Sequence, residues 1–419
     1  MSTTPQRPSR VRVPVTAAAC ALALASFLLS GEKTSFTLDE LLAMGLSRNP
    51  RIAAGALEVA ARESAYQASR RLLNPEVELR LGRAEFHDLD VGRGTYGFAL
   101  SQPIESPFAR RHRIGVGRSA WEESGHAQEH LVGEVLCEIK TRAYALLLLQ
   151  EKERLLEKIA ASAREMERIV RTRAELGEVR PLDAVKLRVE ALKADKETAA
   201  LRAEMAMARE SLNALLDNGL PRDFAVSGAL AFVPFPLDEG ALVERAMAGH
   251  PLVRAGLARL EQSRSRVLFV KGRRFPDLAL TGFSESGLDG VNRGVAVSLA
   301  VPLWNFKSKE LAEASLLSQM SEREFGAVRL ELAREIRASA LRIRMAEETL
   351  SIFSAALLDE VRESLEIAEA GYREGEIALL DLLDSQRTYN GVLGDYHQAL
   401  YDWNAAMAAL EKAAGGAIR

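Results

Sequence analysis

The chain has 419 residues, a formal net charge of −3, 47% hydrophobic and 27% charged residues. This is an ordinary composition for a folded protein, and the lack of a basic excess argues against a nucleic-acid partner. The two cysteines, Cys20 and Cys137, are too few and too far apart for a disulfide framework.

Arg7, Arg10 and Arg12 precede the apolar run Val15–Leu29 and the polar Ser30–Lys33. Residues 1–30 therefore read as a signal peptide, with a lone membrane anchor as the alternative. No later segment reaches the ~18 consecutive apolar residues of a membrane-spanning helix. The chain is expected to leave the cytosol without a helical span.

A first unit covers 36–217. Thr37 is placed to cap a helix, Asn49-Pro50 breaks and restarts it, and the restarted helix is expected to reach about Leu73 before Asn74-Pro75. Polar and apolar residues then alternate over 76–84 and 95–102, two strands of about nine residues, the length a tilted strand needs to cross a bilayer. A proline-free stretch from Phe108 to Ala174 follows, enough for a helix of roughly 100 Å, although glycines 115, 117, 125 and 133 weaken its upper part. Gly177 and Pro181 reverse the chain, and a helix returns from Leu182 to about Leu216, completing a hairpin over 108–217. Residues 218–234 read as a linker.

A second unit covers 235–413 and repeats the first. His250-Pro251 lies 201 residues after Asn49-Pro50, Phe275-Pro276 lies 201 after Asn74-Pro75, and both Gly375 and Asp381 lie 198 after Gly177 and Asp183. Its strands fall at 277–285 and 293–301, and its helical hairpin at 308–413, with one long helix over about Ser308–Ala370. Offsets held this constant mark an internal duplication.

Four strands cannot close a barrel, since the smallest single-chain outer-membrane barrels have about eight, and open edges are not tolerated in lipid. If these strands span a membrane, several chains must share one barrel. A 100 Å helix likewise needs neighbours along its whole length. The competing reading is a soluble coiled-coil scaffold carrying two hairpins.

These residues resemble the outer membrane efflux protein family, the TolC-like channels. The resemblance extends from Phe36 to about Ala413. It rests on the duplication, on Leu72–Leu79 and Arg274–Leu280 entering the strands, on Val301–Asn305 leaving them, and most specifically on Tyr372–Asn390, YREGEIALLDLLDSQRTYN. It implies a mainly α fold with a small β part: long helical hairpins, four membrane-spanning strands per chain, two repeats, and a homotrimer with a twelve-stranded barrel in outer-membrane lipid above a periplasmic tunnel. It also implies partners, a periplasmic adaptor protein and an inner-membrane pump of the resistance-nodulation-division type. By the same resemblance Asp381 and Asp384 form an acidic constriction, Tyr372 and Asp183 make a gate-closing contact, and the tips Gly177, Glu178, Val179 and Gly375, Glu376, Ile377 meet the adaptor. Where the family pattern has an arginine latch two residues after the tip glycine, this chain has Ile377. Gln102–Glu105 and the basic cluster Arg110–Arg113 resemble the heavy-metal efflux branch.

One other pattern carries chemistry. His126-Ala-Gln-Glu-His130 has the H-x-x-E-H form of a zinc peptidase, with His126, Glu129 and His130 as its members, but no third ligand is visible. No nucleotide-binding loop is present, so the chain supplies no driving force of its own. The expected function is a passive outer-membrane conduit of a tripartite efflux system, for metal cations or small toxic compounds, with no catalytic residue, resident metal or cofactor. The channel of a type I protein secretion system is the nearest alternative.

Overall fold

A computed structural model describes residues 34–85, 92–177, 180–234, 236–287, 290–301, 304–353, 355–416 and 418. The expected signal peptide lies outside the described residues.

Strand β1 (Ser35–Thr37) leads into helix α1 (Leu38–Arg48). Thr37 Oγ1 accepts the Glu40 N–H at 3.3 Å while the Glu40 carboxylate accepts the Thr37 N–H at 3.0 Å, a reciprocal capping box. Asn49 caps α2 (Pro50–Ser69), which stops short of the expected Leu73. The reason is tertiary. Arg110 and Arg113 donate to the carbonyls of Arg70 and Arg71 at 2.9 and 3.3 Å, giving the chain partners outside the helix.

Strands β2 (Glu76–Glu85) and β3 (Gly92–Ile104) form an antiparallel pair. β3 runs beyond the predicted 95–102. Its last residues, Gln102–Ile104, pair with a strand of the second repeat on one side only, because β2 begins opposite Ser101. Pro103, which has no N–H to donate, thus sits at a position with one neighbour.

Helix α3 (Pro107–Glu175) is unbroken over 69 residues. Two of its glycines admit neighbours instead of weakening it. A Cβ on Gly117 would stand 2.9 Å from Ser69 Oγ of α2, and one on Gly115 would stand 3.2 Å from Ser265 Oγ. Helix α4 (Pro181–Leu215) returns, and β4 (Ala225–Ser227), within the stretch read as a linker, pairs in parallel with β1.

The second repeat gives α5 (Glu239–Gly249), α6 (Pro251–Gly272), β5 (Leu278–Gly287), β6 (Gly290–Leu299), α7 (Ser308–Ile352), α8 (Ala355–Glu374) and α9 (Leu379–Ala414). One expectation fails here. The helix read as continuous from Ser308 to about Ala370 ends at Ile352, where Phe353 leaves helical geometry at ψ 59. The Phe353 ring instead meets Tyr396 of α9 edge-on, with centroids 6.0 Å apart, and joins the core of the second repeat.

The four long strands make one antiparallel sheet in the order β2-β3-β5-β6. Register sorts its faces. Val77, Leu79 and Leu81 stand opposite Leu100, Phe98 and Tyr96; Ile104 stands opposite Leu278, and Leu278 and Leu280 stand opposite Leu299 and Val297. Directly opposed residues share a face, so one face is mainly apolar, with Arg83, Gln102, Ser284, Ser286 and Arg293 among its polar positions, and the apolar side chains just named are exposed. The other face carries Glu76, Glu78, Arg80, Ser101, Thr281 and Glu285.

Each repeat has its own core where its hairpin meets its short helices. The first gathers Phe36, Leu41, Ile139, Leu146, Leu212 and Phe224; the second gathers Leu242, Ile336, Ile343, Trp403 and Leu410. α3 packs against α2, α4, α6 and α9, so the two repeats share one long helical body.

Candidate functional site at the hairpin tips

Both tips reverse on a left-handed glycine, Gly177 at φ 77° and Gly375 at φ 81°. At the second tip the Glu376 N–H reaches Gly371 O at 2.8 Å and the Gly375 N–H reaches Tyr372 O at 3.2 Å, the paired bonds of a Schellman cap. Ile377, standing where the family latch has arginine, folds back so that a Cβ on Gly371 would lie 3.4 Å from it. Ile377 is therefore part of the turn. Glu376 is exposed. Glu178 and Val179 lie outside the described residues.

The returning helices start alike. Arg180 and Ala378 occupy the N-cap positions of α4 and α9, without side-chain capping bonds, and Asp183 and Asp381 both fall three residues further on. A carboxylate in a first turn faces unpaired backbone N–H groups and the positive end of the helix dipole. Helix-start chemistry thus accounts for Asp183 and Asp381. It does not account for Asp384, one turn later on the same face.

The surroundings of these carboxylates differ. Asp183 is largely buried and paired with Arg180 at 3.3 Å. Tyr372 packs against the cluster of Val170, Leu187 and Leu379 together with Ala184 and Leu383. Burial, then the charge of Asp183, pushes the Tyr372 phenol above its ordinary pKa. The structure therefore brings Tyr372 and Asp183 into one neighbourhood. Asp381 and Asp384 are exposed, on a helix whose Leu379 and Leu382 are buried against α3 and α4. Arg387, the next basic residue of α9, is committed to Glu190 at 2.7 Å. The pair thus presents two carboxylates away from this chain's own body.

The histidine motif does not form a metal centre. Glu129 pairs with Arg254 at 2.8 Å, and His130 faces Glu134 at 3.6 Å. Among the described residues no three His, Cys, Asp or Glu side chains are grouped to hold a metal. The Gln102–Glu105 and Arg110–Arg113 motifs form a joint between sheet and helices. Glu105 takes Arg113 through two guanidinium nitrogens, at 3.0 and 2.7 Å, and Gln102 donates to Leu73 O at 3.0 Å.

Sequence reasoning missed a pair of clamps at the opposite end of the hairpins. Asn49 Oδ1 accepts the N–H groups of Arg51 and Ile52, and its Nδ2 donates to Leu215 O at the end of α4. His250 does the same work in the second repeat, accepting the Leu252 N–H on Nδ1 and reaching Lys412 O at the end of α9. The aligned Asn-Pro and His-Pro steps were the available signal.

The family model described as outer membrane efflux protein matches residues 41–218 and 242–416. The cobalt-zinc-cadmium resistance protein CzcC of Cupriavidus metallidurans is 25% identical over 374 residues, spanning 87% of this chain and 88% of CzcC. Among solved structures, the outer-membrane channel OprN superposes with a TM-score of 0.78 at 18% identity, covering 91% of this chain and 90% of OprN. The channel protein CusC does so with a TM-score of 0.76 at 14% identity, covering 94% and 96%. The open state of the Neisseria gonorrhoeae MtrE outer membrane channel gives 0.76 at 18% identity, covering 90% and 89%. These likenesses match the helical hairpins and small sheet of the fold, and the matched proteins are channels, not enzymes.

Proposed function

Because the chain belongs to the outer membrane efflux protein family, we propose that three copies pool their strands into one twelve-stranded barrel and form the passive conduit of a tripartite efflux system. The protein is an outer membrane efflux channel, not an enzyme. The observation that carries the trimer is the four-stranded sheet, apolar and exposed on one face, with β2 and β6 as open edges. Among the described residues no helix is long and apolar enough to cross a membrane, so the sheet is the segment suited to lipid. Each unpaired edge group in hydrocarbon costs several kcal/mol, and joining β6 of one copy to β2 of the next removes every edge. The apolar face then meets lipid and the face with Glu76, Glu78 and Glu285 lines the pore.

At the other end, three copies of Asp381 and Asp384 ring the axis as an acidic constriction, and the Tyr372–Asp183 neighbourhood holds it closed. An adaptor protein meets the tips around Gly177 and Gly375, and an inner-membrane pump of the resistance-nodulation-division type supplies the energy. Metal cations are the favoured substrate. The likeness to a cobalt-zinc-cadmium resistance protein and a ring of carboxylates support that choice.

The test is light scattering in mild detergent with conductance across planar bilayers. Trimers that conduct are expected, and Asp381→Ala combined with Asp384→Ala raises conductance and lowers cation preference. Unchanged values remove the gate assignment. A monomer without current ends the conduit reading.

A further inference from the structure

The two clamps differ in one chemical respect. Asn49 and His250 are each only 2% exposed. Each accepts N–H groups at the start of one helix and donates to a carbonyl at the end of another, α2 with α4 and α6 with α9. An amide does this at any pH. An imidazole does it only when neutral, with its proton on Nε2 for Lys412 O at 3.2 Å and a bare Nδ1 for the Leu252 N–H at 3.0 Å.

A second proton has one place to go, Nδ1. There it opposes the Leu252 N–H and puts a positive charge at the positive end of α6. The Lys412 carbonyl gains little, since it already holds the Nε2 proton. Every packed element adds its charges. From α3, the His130 ring lies 5.6 Å away by centroid, with Glu134 against His130 at 3.6 Å and the Cys137 thiol further along. From α7 and α9, Glu335 and Lys412 are paired at 2.6 Å, so that neighbouring carboxylate is already compensated. On α6 itself, Arg254 is committed to Glu129. Above the ring, a Cβ on Gly415 would stand 3.0 Å from His250 Cδ2, so the end of α9 closes tightly over it. Burial, with His130 and Lys412 adding to it, holds the ring below its ordinary pKa against the opposing Lys412 carbonyl and Glu335.

We propose that His250 is a proton-sensitive clamp on the root of α9, the helix that carries Asp381 and Asp384, and that acid loosens the second hairpin while leaving the first unchanged. The sign follows from the neutral form being the bound one. The clamp is intact above the ordinary histidine value of about 6.5 and weakens as pH falls below it. α9 has 36 residues and is roughly 54 Å long, so a loosened root reaches the tip as a change of lean in one stiff rod. The inference does not depend on which substrate the channel carries.

Hydrogen exchange of the full-length protein in detergent, corrected for intrinsic rates, tests it. Between pH 7.5 and pH 5, amides of 250–256 and 408–416 should lose protection by about fivefold or more, while those of 49–55 and 211–219 hold theirs. His250→Asn, which installs the first repeat's own residue, should abolish the acid response; His250→Gln serves if that variant does not assemble. Asn49→His should create the response in the first repeat. Equal losses at both clamps in the unmodified protein, or an acid response that survives replacement of His250, would overturn the proposal.

Discussion

The two hairpins share a plan and differ in continuity. In the first, α3 is a single rod of 69 residues and Asp183 is tied to Arg180 beneath Tyr372. In the second, the descending arm is split into pieces of 45 and 20 residues, and of the shorter one only Ala368 is buried. Its returning helix offers Asp381 and Asp384 without enclosing them, and its root is held by a titratable ring instead of an amide. The two hairpins thus differ in continuity and in the group that holds their roots, and the carboxylates proposed as the constriction sit on the interrupted one.

The largest expected effect tests whether the two halves of the sheet are equivalent in lipid. Val297→Arg in β6 and Leu79→Arg in β2 place a charge on the apolar face, at about 2–4 kcal/mol per copy near the midplane. Both should abolish recovery of assembled protein from outer-membrane fractions, whereas Thr281→Arg on the opposite face should leave assembly intact. If Thr281→Arg is the variant lost, the faces are assigned the wrong way round.

Next comes the split arm. Phe353→Ala removes the ring that holds α9 through Tyr396 and should destabilise the second repeat by about 1–2 kcal/mol. In thermal melts followed by hydrogen exchange, α7 to α9 should open earlier while α3 keeps its protection. Uniform loss across both repeats would mean that they unfold as one unit.

Smaller still, Gly177→Ala and Gly375→Ala each force a side chain into left-handed geometry at about 1 kcal/mol. Equal shifts in melting temperature are expected, and unequal ones would show that the tips bear different strain. The finest test concerns Tyr372. Its raised pKa means that its stabilising contribution is complete below the ordinary value of about 10 and is lost as pH rises through the folded value. An ultraviolet absorbance titration should show a late-titrating phenol that vanishes in Tyr372→Phe. In Asp183→Ala it should move only part of the way back, because burial is the larger cause.

Much of this was legible in the sequence because it depends on local chemistry. Prolines open the helices at Pro50, Pro107, Pro181 and Pro251, and Gly177 and Gly375, both of positive φ, close the tips. Alternation found the four long strands. What was hidden depends on distant partners. No proline or glycine adjoins Phe353 to signal a break, and the partner its ring meets there, Tyr396, lies far along the chain. β1 and β4 have three residues each, too few for any period, and stabilise one another. At the tips, the sequence could pair Asp183 with Tyr372 only by resemblance; the structure adds that Asp384, unlike Asp183 and Asp381, has no helix-start role to explain it.

The β3–β5 pairing sets an order of events. Gly97 lies opposite Glu285, and roughly 190 residues of chain, including the whole first hairpin, come between them. The centre of the sheet therefore cannot zip until α3 and α4 have been made and α6 has returned to α3. Helices form within microseconds, while pairings this distant along the chain are slow. Biogenesis should then run from the periplasmic end upward, with the helical stem folded first and serving as the jig on which the greasy strands are aligned, late and close to the bilayer that receives them.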